Sequence, residues 1–157
     1  MNAKYSFVII ATIIILLSGC GATKVDMNQP AADGQFHYAN DDLGFSLSLP
    51  PELIYFQTQR INDRDLQYSD IQIFVPTSDP AYTSEPVNYA NPVTIRTANK
   101  DFWDKEKNAA VNTGFSAIGK NFQKVYLIKY WNRVPTDWKD KWTDLMKLNI
   151  VGGFKIK

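Results

Sequence analysis

The chain holds one thiol, Cys20, and one imidazole, His37, so the chemistry open to it is narrow. A single cysteine excludes a disulfide framework within the chain, and one cysteine with one histidine cannot assemble a zinc cluster or repeated Cys/His ligand pairs. His37 is the one imidazole that could act as a base, and a hydrolase built on it would need a nucleophile held beside it. A nucleophile elbow has the pattern G-x-S-x-G. The nearest approach is Gly114-Phe115-Ser116-Ala117-Ile118-Gly119, one residue too long and inside a strand-like run, so His37 reads as a surface or edge-strand histidine rather than a base.

The acidic residues give no stronger signal. Asp63, Asp65 and Asp70 lie close in sequence, but a calcium loop of the EF-hand type needs Gly at its sixth position and Glu at its twelfth, where this chain has Tyr68 and Phe74. Asp101/Glu106 and Asp137/Asp140 sit in the first turns of helix-like segments, where the helix dipole already accounts for them. No phosphate-binding loop or dinucleotide fingerprint occurs, and no metal or cofactor is expected. Trp103, Trp131, Trp138 and Trp142 could line a ligand cleft, yet the helical spacing of Trp138 and Trp142 favours a place in the core. The least ordinary segment is PTSDPAYTSEPVNYANP, 76–92, with four prolines, two tyrosines and almost no aliphatic residue. Connections this long tend to be functional. Tyr82 and Tyr89 are therefore candidate partner-binding residues on a loop expected to stand clear of the core.

Cys20 has a different setting. Residues 1–20 read MNAKYSFVIIATIIILLSGC, in which Lys4 precedes an eleven-residue stretch, Phe7–Leu17, that is apolar except for Thr12. A spanning helix needs about 20 apolar residues, so this length fits the hydrophobic region of a secretory signal. The tetrad Leu17-Ser18-Gly19-Cys20 resembles the lipobox of bacterial lipoproteins, an aliphatic residue and two small ones before the cysteine. The resemblance implies cleavage before Cys20, a diacylglycerol on its sulfur, and attachment on the extracytoplasmic side of the bacterial cell envelope. Several acyl chains hold durably, since each buried CH₂ contributes roughly 0.8 kcal/mol. Losing Lys4 with the leader leaves 16 of the 17 basic side chains against 16 acidic ones. A balanced domain has no cationic footprint for nucleic acid.

What remains divides into a tether, 20–35, without hydrophobic periodicity and with an r.m.s. reach of roughly 20 Å if flexible, and one folded domain, 36–157. At 45% hydrophobic and 13% aromatic residues the composition suits one ordinary globular core. Leu43, Phe45, Leu47 and Leu49 alternate with small residues, the period of a half-buried strand, and 36–39 precedes them as its hairpin partner. Further strands are expected at 53–61, 70–75, 93–97, 114–118, 122–131 and 154–157. A helix is expected over 99–110, capped by Asn99, with Phe102, Glu106, Ala109 and Ala110 on one side. A second is expected over 136–149, with Trp138, Trp142, Leu145 and Leu148 on its buried stripe and Gly152-Gly153 as its stop. The pattern predicts an α+β domain, a mainly antiparallel sheet covered by two helices.

The segment Tyr38–Pro50, YANDDLGFSLSLP, resembles the Y-x-N-x-x-x-GF-S-x-x-x-P signature that opens many PsbP-like domains, and LNIVGGFKIK, 148–157, is similar to their closing helix-to-strand segment. The hairpin around Ile118-Gly119-Lys120 is similar to theirs as well. This chain departs from that pattern with Pro50-Pro51 where Pro-x-x-Trp is common. The resemblance implies a PsbP-like sandwich and a binding or assembly role, and it carries no site residue across. The expected function is thus a membrane-tethered, non-catalytic module that holds a protein partner in the envelope. A small envelope hydrolase and a purely structural lipoprotein are the alternatives. An enzyme would show His37 beside a carboxylate and a hydroxyl in one pocket; a binding module would show a groove without such a constellation.

Overall fold

A computed structural model describes residues 29–63, 67–84, 86–109 and 112–157. The lipobox, Cys20 and the leader lie outside the described residues, as do Asp65 and Ala110.

The chain opens with a hairpin, β1 (Phe36–Asn40) and β2 (Phe45–Leu49), in which Phe36 pairs with Leu49 and Asn40 with Phe45. Its connection is the Asn40-Asp41-Asp42 turn closed by Gly44 at φ +76°, with the Asn40 side chain accepting from the Leu43 amide. The alternation read from the sequence holds: Phe45, Leu47 and Leu49 are buried, while Ser46 and Ser48 are partly exposed. The expected strand from Leu53 begins only at β3 (Gln57–Asp63), because Pro51–Leu53 forms a 3-10 turn and Tyr55 takes a positive φ of 62°. Leu53 and Phe56 still reach the core from that turn.

Long strands follow: β4 (Tyr68–Pro76), β5 (Tyr89–Asn99), β6 (Ser116–Lys120) and β7 (Lys124–Tyr130), with the short helix α1 (Lys100–Glu106) between β5 and β6. They form an antiparallel five-stranded sheet in the order β3-β4-β5-β7-β6. Asn99 caps α1 as expected, accepting from the Asp101 and Phe102 amides. The helix is shorter than its periodicity suggested and buries no residue, since the chain turns away after Glu106.

The second helix needs a larger correction. Thr136–Trp138 is a 3-10 turn, Thr143 is extended at φ −107° and ψ 164°, and only Asp144–Gly152 is helical (α2). Thr143 is the N-cap, its hydroxyl accepting from the Met146 amide. The inward side chains of α2 are Met146 and Ile150, whereas Leu145 and Leu148 are 65% and 68% exposed. Trp138 and Trp142 are buried as expected, but through the preceding turn rather than on a continuous helical stripe. Gly153 ends α2, and β8 (Phe154–Ile156) pairs with β2, completing a three-stranded sheet β1-β2-β8.

The domain is α+β, with mainly antiparallel sheets and two helices. One core joins both sheets: Phe36, Phe45, Leu47 and Leu49 from the first, Ile71, Ile73, Val93, Ile95, Tyr126 and Ile128 from the second, and Trp138, Trp142, Met146 and Ile150 from the closing segment. Ring contacts link the layers, with Tyr126 of β7 against Phe45 of β2 at 6.1 Å and against Phe154 of β8 at 5.4 Å. Ile71, Ile73 and Val75 of β4 and Tyr126 and Ile128 of β7 point into this core. Asp70, Gln72, Thr94, Arg96 and Lys129 therefore project from the other face of the five-stranded sheet, as strand alternation requires.

Candidate functional site

That second face carries a groove of about 390 Å³. Its floor is a buried ion pair: Asp70 and Arg96 are direct cross-strand partners on β4 and β5, and the guanidinium Nε and Nη2 each lie 2.7 Å from a carboxylate oxygen. Arg96 Nη1 donates to Asn112 Oδ1 at 3.0 Å, and Asn112 Nδ2 donates to the Glu106 carbonyl, tying the segment after α1 over the sheet. The guanidinium lies between two rings, 3.6 Å from the Tyr68 centroid and 4.2 Å from that of Phe115. A bidentate pair between aromatic faces is the setting that suits arginine and not lysine. Its charge is compensated, so Arg96 shapes the floor.

The wall is different. Lys129 makes no ion pair among the described residues and lies 5.6 Å from the Phe115 ring centre, and Arg133, largely exposed, reaches Asp79 Oδ2 at only 3.5 Å. Asn91, Asn132 and Trp131 complete this wall, and the indole Nε1 of Trp131 is buried with no hydrogen-bond partner. The groove thus combines flat aromatic surface, amide groups and cations at its mouth.

The Pro-rich loop supplies the remaining wall, and here the expectation of a free-standing loop is corrected. Asp79 and Thr77 are buried. Asp79 accepts from the Ala81 and Thr136 amides, and Thr77 Oγ1 donates to Asp137 Oδ1 at 2.6 Å, so the loop is strapped to the turn at 133–137. Tyr82 is half-buried, lines the groove and donates its hydroxyl to the Arg133 carbonyl at 2.6 Å; desolvation raises its phenol pKa. Tyr89 is also half-buried but lies away from the groove, its hydroxyl accepting from Gln57 Nε2 at 2.9 Å. The structure brings Tyr82 together with Lys129 and Arg133, and it does not bring Tyr89 there. Sequence reasoning missed Arg96, Lys129 and Arg133, which are three isolated cations until the sheet register aligns them.

A second arrangement surrounds His37. The imidazole Nδ1 lies 3.1 Å from Ser48 Oγ and Nε2 lies 2.9 Å from Asp33 Oδ2. A carboxylate only accepts, so in neutral His37 the Nε2 carries the proton and Nδ1 is left to accept from the serine hydroxyl. His37 and Ser48 are cross-strand partners, and Asp33 comes from a turn at 31–35 closed by Gly34 at φ +77°, a segment expected to be part of the tether. The Gln35 amide, donating to Asp33, is the main cause that holds its carboxyl below the usual value. Asp33, His37 and Ser48 line one cleft, the constellation that an enzyme would show, in the order of a Ser-His-Asp triad but with the ring nitrogens exchanged, since in a triad the carboxylate holds Nδ1 and the serine faces Nε2. The amides beside Ser48 are already used. The Ser48 amide donates to the Gly153 carbonyl and the Gly153 amide to the Asn149 carbonyl. Neither of these two amides is therefore free to stabilise an oxyanion at Ser48. Compared with protein-family models, curated proteins and solved structures, the chain finds no match.

Proposed function

We propose that this protein is a lipoprotein of the bacterial cell envelope, held on the extracytoplasmic side of a membrane through Cys20, whose domain binds an acidic group of a protein partner without catalysis. The observation that carries the binding reading is the groove in which Tyr82, Lys129 and Arg133 surround the fixed Asp70–Arg96 pair. Such a site has aromatic area and cations but no base beside a nucleophile. A PsbP-like sandwich is the finer fold reading. Its support is that the opening and closing motifs lie side by side, Phe45 of β2 pairing with Ile156 of β8. Site-specific photocrosslinking at the exposed Asn132 in intact cells tests the function. Capture that is lost in Lys129→Glu supports it, and capture indifferent to that reversal overturns it. Metabolic lipid labelling tests the anchor, because Cys20→Ser leaves no thiol to alkylate.

The hydrolase reading has one observation in its favour, the contact of Asp33, His37 and Ser48. A fluorophosphonate probe decides it: labelling that vanishes in Ser48→Ala would make the protein an enzyme.

A further inference from the structure

The outward face of α2 is apolar. Leu145, Leu148 and Val151, three residues apart and on one side, are 65%, 68% and 38% exposed, while Met146 and Ile150 fill the core side. A helix on a soluble domain ordinarily carries polar residues there. Three aliphatic side chains offer far less than the roughly 1,200 Å² that a stable protein interface buries.

The chain's own N-terminal side arrives at this face. Asp33, Gln35 and His37 share a cleft with Leu148, Asn149, Gly152 and Lys155. Asp33 follows Cys20 by thirteen positions, which bounds the distance between them at about 45 Å even for full extension. A lipid on Cys20 therefore keeps a bilayer surface within reach of α2. Tethering of this kind acts as an effective concentration in the millimolar range, so a weak contact is enough. An apolar helix face can then sit at the headgroup boundary. Lys155, in the same cleft, has no ion pair among the described residues and suits a lipid phosphate.

We infer that Leu145, Leu148 and Val151 rest on the phospholipid surface that carries the anchor, so that α2 sets the orientation of the domain above the membrane. This rests on the lipidation of Cys20. The test uses the full-length protein, purified from membranes and reconstituted in phosphatidylethanolamine and phosphatidylglycerol vesicles, with an environment-sensitive fluorophore on Asn149→Cys. The expected result is a blue-shifted emission quenched by brominated phospholipid, both effects lost in Leu145→Ser/Leu148→Ser at unchanged melting temperature. A lipid-bearing protein whose probe stays in water overturns the docking alone. A shielded probe that brominated lipid cannot quench overturns it too, since a second copy or another protein then covers the face. If mass spectrometry finds no lipid on Cys20, the anchor and the docking fall together.

Discussion

Asp70 and Arg96 face one another across β4 and β5 as a buried, bidentate pair, with both contacts at 2.7 Å and the guanidinium held between Tyr68 and Phe115. Each charge is away from water and depends on the other. Removing one leaves the other buried and uncompensated, a loss of about 3–5 kcal/mol, whereas replacing both with apolar residues of similar volume is often neutral. Asp70→Leu should therefore lower stability strongly, and Asp70→Leu/Arg96→Met should recover much of it in denaturant melts. If the double variant is as unstable as the single, the network through Asn112, and not the pair, holds this face.

Trp142 makes edge contacts with Trp131 at 4.7 Å and Tyr130 at 5.7 Å, joining the turn before α2 to the end of β7. Trp142→Ala should cost about 3–5 kcal/mol, a large share of the stability of a domain this size. An unchanged melting temperature would show that the ring is dispensable and that the Trp cluster is open to ligand.

These two cases differ in how far they could be read from the sequence. The alternation Leu43–Leu49 and the Asn99 cap are local, and both led to the right elements. Ring size and spacing place Trp138 and Trp142 in the core, where the structure has them, yet the same spacing conceals the break at Thr143 and so turns Leu145 and Leu148 inward, whereas both are exposed. The groove and the His37 contacts were not legible at all. Asp70 meets Arg96, and His37 meets Ser48, only through strand register, which no short window of residues contains.

The strap that holds the Pro-rich loop predicts a pH dependence. The amides of Ala81 and Thr136 hold the Asp79 carboxyl below its ordinary 3.8. For Asp137 burial pulls upward, but the bonds from Thr77 and Ser78 outweigh it and leave the carboxyl lowered as well. A folded-state value below the unfolded one means that the unfolded chain binds protons first. The stabilisation is complete well above pH 3.8 and is lost as the pH falls through the lower folded-state values. Thermal melts of Asp79→Asn/Asp137→Asn should start lower at neutral pH and show a flatter acid limb. Parallel limbs for the variant and the wild type would remove these carboxylates as its cause.

Tyr82, on the Pro-rich loop, and Tyr89, which is the first residue of β5 and not part of a loop, separate the binding and the structural roles of the segment 76–92. Each hydroxyl makes one hydrogen bond near solvent, Tyr82 to the Arg133 carbonyl and Tyr89 with Gln57, and such bonds contribute roughly 0.5–1.5 kcal/mol. Replacing both tyrosines with Ser also removes two half-buried rings, so the cost should rise to about 2–4 kcal/mol, more than free-standing side chains would show. Tyr82→Phe keeps the ring on the groove and should hold stability within about 1.5 kcal/mol. Partner capture at Asn132 should then survive Tyr82→Phe, weaken in Tyr82→Ser, and be indifferent to Tyr89→Ser, because only Tyr82 lines the groove. Melts and crosslinking on these variants check the division. Equal loss of capture with Tyr82→Ser and Tyr89→Ser would mean that the segment 76–92 as a whole, and not the groove wall, meets the partner.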